Sequence, residues 1–136
     1  MQLSDPQHPT DLDRMRVAFA IQVAQRISEA DGILDLSEIE FLMKLFPDSV
    51  LRACGFVDEH TQLTDTARTW SERARTALAT QLTTEQKLSL ITIFHEACMV
   101  DGEMHPSEIR QLMRAARDLG LSRDVVFAHI GSLRHA

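Results

Sequence analysis

The chain contains no tyrosine, one tryptophan, two cysteines, four prolines and five glycines among its 136 residues. So little proline and glycine excludes collagen-like and low-complexity disordered classes, and 44% hydrophobic with 25% charged residues suits a compact, helix-rich domain. At this length one domain buries roughly two-thirds of the surface its unfolded form exposes, so folding needs no metal or disulfide. Positive charge is also scarce: 14 basic against 20 acidic residues give a net charge of −6. A phosphate-tracking protein gathers positive charge to displace counterions, so the balance points away from nucleic acid and towards a cation or a basic partner. Long apolar runs are missing, since the stretch 17–24 is short and contains Gln22. Residues 1–14 carry Asp5, Asp11, Asp13 and two prolines, which is neither a secretory signal nor a basic transit peptide. The expectation is a cytoplasmic protein in which Cys54 and Cys98 are small buried hydrophobes rather than a disulfide.

The apolar residues that are present recur at helical spacing. Residues 1–10 read as a flexible arm and 11–136 as one domain. Met15, Phe19, Val23 and Ile27 form the stripe of a first helix that should end at Ala30-Asp31-Gly32. A second helix runs from about Leu36 to Pro47, with Ile39, Leu42, Met43 and Phe46 on its inner face, and a short helix covers 49–54. Residues 55–63 read as a polar turn. Ala67, Trp70, Ala74, Ala77, Leu78 and Leu82 then mark a long helix with its tryptophan turned inward. Thr83 with Gln86 three residues on is a capping-box pattern, opening a helix whose apolar face is Leu88, Ile91, Phe94 and Ala97 and which ends at Gly102. Pro106 opens the next, with Ile109, Leu112, Met113, Ala116 and Leu119, closed by Gly120. Ser122 caps a last helix with Val126, Phe127, Ile130 and Leu133. The fold class is therefore all-α, a bundle of six or seven helices.

Within this pattern lies a repeat. Shifting 27–44 by 70 positions onto 97–114 matches Asp31 with Asp101, Gly32 with Gly102, Ser37-Glu38-Ile39 with Ser107-Glu108-Ile109, and Leu42-Met43 with Leu112-Met113. Both copies fall between two predicted helices, which implies a duplicated helix-turn-helix, about 12–46 and 84–119, with pseudo-twofold symmetry. The stretch 27–40 holds Glu29, Asp31, Asp35, Glu38 and Glu40 with no base; 95–108 holds Glu96, Asp101, Glu103 and Glu108. If symmetry brings the turns together, unpaired carboxylates repel by about a kcal/mol or more per pair, and a bound cation relieves this. Plainer readings compete. Asp35 with Glu38 is itself a capping box, and an Asp before Gly is an ordinary turn residue. At the second copy Pro106 places His105 at the N-cap, a poor capping residue, so capping explains Glu108 less well. The spacing also fails as an EF-hand, whose first ligand position falls on Ile27 or Ala97.

Ala30-Asp31-Gly32-Ile33-Leu34 to Glu38, with Val100-Asp101-Gly102-Glu103-Met104 to Glu108, resembles the twice-used signature of the TerB-like domains of the tellurite-resistance group. The resemblance covers residues 11–134, with departures at Val100 and Glu103. It implies a helical bundle, an acidic face that binds a divalent cation, and a part in tellurite or other stress responses. Asp31, Glu38, Asp101 and Glu108 are the candidate ligands, with Asp35 and His105 secondary. Carboxylates alone favour calcium, magnesium or manganese, whereas a histidine would suit zinc.

Other chemistries find no footing. His95-Glu96 lacks the second histidine of a zinc-protease helix, no Glu has a His three residues on, and no phosphate loop or nucleophile elbow is present, so no enzyme is expected. His95 reads as a polar residue on the outer side of its helix. Arg110, Arg114 and Arg117 share one face of the sixth helix, a stripe that suits an acidic partner or a membrane surface but also an ordinary solvated face. The alternative to metal binding is a metal-free interaction module whose acidic face docks a basic protein partner.

Overall fold

A computed structural model of the chain describes residues 8–28, 36–99 and 106–134. Seven helices occupy them, α1 (Asp11–Ser28), α2 (Leu36–Leu45), α3 (Asp48–Ala53), α4 (Asp65–Gln81), α5 (Thr84–Cys98), α6 (Pro106–Asp118) and α7 (Arg123–Arg134). The described residues contain no strand beyond an isolated antiparallel bridge between Val57 and Leu63. None of their helices is long and apolar enough to cross a membrane. The chain divides into two compact units, Met1–Arg75 and Thr76–Ala136.

In the first unit α1 packs on α2. Thr10 starts α1 by accepting the Asp13 N–H at 3.1 Å, while its own N–H donates to the Asp13 carboxylate at 3.2 Å. This reciprocal cap explains why Asp13 is buried: its carboxylate satisfies a backbone donor at the helix start. Phe19, Leu42, Phe46 and Phe56 are fully buried. Ser71 of α4 donates to the Ala18 carbonyl at 3.1 Å, and Arg14 donates to the Cys54 carbonyl at 3.0 Å.

Segment 55–63 turns, as its polar residues predict, but is not polar throughout. Gly55 sits at φ +73° and ends α3, with its N–H on Arg52 O and the Phe56 N–H reaching back to Leu51 O. That double bond is the Schellman arrangement, which uses a left-handed residue and drives the next side chain, Phe56, inward. Asp58 organises the remaining turn by accepting the His60 and Gln62 N–H groups at 2.8 and 2.9 Å.

In the second unit α5, α6 and α7 pack pairwise on one another. The Thr83–Gln86 capping box is present, with Thr83 N–H to Gln86 Oε1 at 2.9 Å and Gln86 N–H to Thr83 Oγ1 at 3.2 Å. Gly120, at φ +77°, closes α6 with a second Schellman pair, Gly120 N–H to Arg117 O and Leu121 N–H to Ala116 O. Ser122 Oγ caps α7 through the Val125 N–H at 3.3 Å. Lys87 donates to the Ala79 carbonyl at 2.6 Å, a cation at the last turn of α4 where free carbonyls gather.

Several side chains stand where the helical stripe does not predict. Met43, Ile109 and Phe127, assigned to inner faces, are 48%, 40% and 47% exposed. Trp70 is only half-buried, with the Arg73 guanidinium 4.2 Å from its ring centre and that of Arg14 at 5.9 Å. An arc of about 100° faces a core, so residues at the flanks of a wider apolar stripe are left at its edge. His95, expected outside, is buried, on the face of α5 that it shares with the buried Ile91 and Cys98 at helical spacings of four and three. Cys54 and Cys98 are buried and form no disulfide, in keeping with their reading as small hydrophobes.

Candidate functional site

The candidate ligands fall within, or in the first helical turn after, two connections of equal length. Helix α1 ends at Ser28 and α2 opens at Leu36; α5 ends at Cys98 and α6 opens at Pro106. Both boundaries recur at an offset of 70 residues, and seven residues separate the helices each time. Glu38 is accordingly the third residue of α2 and Glu108 the third of α6. Pro106 takes the first helical position, where its missing N–H leaves no unmet bond.

Glu108 is half-buried in the first turn of α6. Asp31, Asp35, Asp101 and His105 lie outside the described residues, as do the side chain of Glu38 and the helix stops expected at Gly32 and Gly102. Among the described residues no group of three or more His, Cys, Asp or Glu is placed to hold a metal ion. The flanking acids Glu40 and Glu96 are exposed on their helices.

A second feature belongs wholly to the second unit. Helices α6 and α7 enclose a groove of about 580 Å³ lined by Ile109, Met113, Leu121 and Phe127 together with Arg110, Arg114, Arg117 and Arg123. Arg123 lies over the Phe127 ring at 5.3 Å. The arginine stripe is evident from spacing, but the apolar floor is not, because its residues fit the core pattern of their own helices equally well. The signal that separates them is the pairing of Ile109 and Met113 with arginines at the next position, Arg110 and Arg114.

Cys54 and Asp58 depart from their ordinary acidities. Burial pushes the Cys54 thiol up to about 11, opposed by the nearby Arg14 guanidinium. The backbone N–H groups of Gln62 and His60 hold Asp58 below the usual carboxylate range. Compared with known proteins, the chain matches no family model, no curated protein and no solved structure.

Proposed function

We propose that the chain binds a divalent cation through the carboxylates of its two Asp-Gly…Glu turns, as a non-enzymatic TerB-like domain with a part in tellurite or other stress response. The observation that carries this reading is the recurrence of one signature between helices whose ends recur at the same 70-residue offset. Burial supports the repeat. Ala20, Ile21 and Ala24 are buried like Leu90, Ile91 and Phe94, and Leu42 like Leu112, while Ile39 and Ile109 both keep part of their surface in contact with solvent. The helices on either side of each turn also pack on one another, α1 with α2 and α5 with α6.

Asp31, Glu38, Asp101 and Glu108 would supply hard anionic oxygens, and Asp35 further charge; His105 would extend the choice to zinc. A bound cation would neutralise carboxylates that otherwise repel one another. Equilibrium dialysis of chelator-stripped protein against calcium, magnesium, manganese and zinc tests this directly. The expected result is stoichiometric retention of one of them, lost in Asp31→Asn/Asp101→Asn; no retention of any cation by the wild-type chain overturns it.

The alternative is favoured by the helix positions of the two glutamates. A carboxylate in the first turn is stabilised by the helix dipole without any metal, and Glu38 and Glu108 occupy equivalent first-turn positions. On that reading the acids are caps, and the acidic surface docks a basic partner whose binding survives chelation.

A further inference from the structure

We infer that the groove between α6 and α7 is a docking site for an acidic amphipathic helix of a partner protein. The reading is independent of whether the acidic turns hold a metal. In a chain of net charge −6, the groove is lined by four arginines and no acid. Arg110, Arg114 and Arg117 form no ion pair with any described residue, and all three are exposed. Their positive charge is therefore not consumed by ion pairs among the described residues. Between them lie Ile109 at 40% exposure and Phe127 at 47%, with Met113 and Leu121 half-buried beside them. Arginine, methionine and aromatic residues are the types enriched where proteins meet, and an apolar floor ringed by charge is the arrangement that excludes water from a buried contact.

Spacing specifies a helical occupant. At 1.5 Å rise per residue, Arg110, Arg114 and Arg117 set charges about 6 Å and then about 4.5 Å apart along α6. Carboxylates at i, i+4 and i+7 on a partner helix present the same intervals, and apolar residues on its adjoining face, spaced by three and four, fill a groove of this kind. Each guanidinium can hold one carboxylate through two parallel hydrogen bonds. A bilayer is the poorer match, since the apolar residues line a concavity between two helices and form no continuous protruding face.

The test is a displayed library of random peptides, long enough for about four helical turns, selected against the full-length chain. The expected outcome is enrichment of peptides that combine Asp or Glu with Leu, Ile or Phe at helical spacing. Synthetic copies should bind at least about tenfold more weakly to Arg110→Glu/Arg114→Glu and to Phe127→Ser, both at exposed positions, and as well as before to Arg75→Glu in the other unit. Melting curves establish that each variant is folded. Failure to enrich any peptide, enrichment without acidic bias, or equal binding to the groove variants overturns the proposal. Vesicles of phosphatidylcholine and phosphatidylserine in equal parts are the comparison. No sedimentation of the chain is expected, and sedimentation lost in the same arginine reversals would assign the groove to a membrane surface and overturn the docking of a helix.

Discussion

Thr83 and Gln86 hold the start of α5 by two reciprocal hydrogen bonds, so removing the Thr83 hydroxyl should be felt. Thr83→Ala is expected to lower the unfolding free energy by about 1 kcal/mol, measured by urea denaturation, with Thr83→Asp close to wild type. Cys54 gives a chemical reading of burial. Its folded pKa of about 11 lies above the unfolded value, so the preference for the neutral thiol is fully present below about 9 and lost as pH rises through about 11. Iodoacetamide at pH 8 should therefore label Cys54 only as fast as the protein opens, and labelling at the rate of a free thiol would contradict its burial. Asp58 shifts the opposite way: the stabilisation from its two turn hydrogen bonds is present above the unfolded pKa and is lost as pH falls through the lower folded one. Its carboxyl carbon resonance should titrate below that of an ordinary aspartate, and an Asp58→Asn chain should lose this acid-side dependence.

Helix starts and stops were legible wherever a local hydrogen bond defines them. Gly120, Thr83, Ser122 and Pro106 all act at the positions their types predict, because capping depends on residues a few positions apart. Less legible was anything decided between elements. Met43, Ile109 and Phe127 share the period of core residues, yet only the packing of neighbouring helices decides which flank of the stripe is covered. Phe56 and Val57 are too short an apolar pair to stand out in segment 55–63, although the Schellman turn at Gly55 makes them core. Of the candidate site, the repeat points to two turns that lie outside the described residues, whereas the groove floor was hidden inside the core pattern. At the element scale, Gly55→Ala and Gly120→Ala should each destabilise by about 1–2 kcal/mol, since a Cβ at positive φ meets its own backbone. Nothing lies within 4 Å of a Cβ built at Gly55 and only ordinary contacts surround one at Gly120, so the loss would be conformational and not a clash with neighbours. Phe56→Ala, which empties a fully buried site, should cost more, about 3–5 kcal/mol by the same denaturation.

For the whole molecule, the proposed repeat assigns different work to different surfaces. Its acids are concentrated around two equivalent connections, with nine of 20 in 28 residues, while three of its 12 arginines align along one face of α6. A cation at the first and an acidic helix at the second would be separate events, since neither shares a residue with the other. The proposed cation site predicts a stability that depends on the ion, because a ligand bound only by the folded state stabilises it by mass action. The deciding measurement is thermal unfolding of chelator-stripped protein with calcium, magnesium, manganese or zinc, beside the Asp31→Asn/Asp101→Asn variant. A cation at a hundred times its dissociation constant should add about 2.7 kcal/mol, or roughly 10 °C at this chain length, in the wild type only. An unchanged melting temperature with all four cations, together with a double variant that melts at or below the wild type, would contradict a metal site and leave the carboxylates as helix caps.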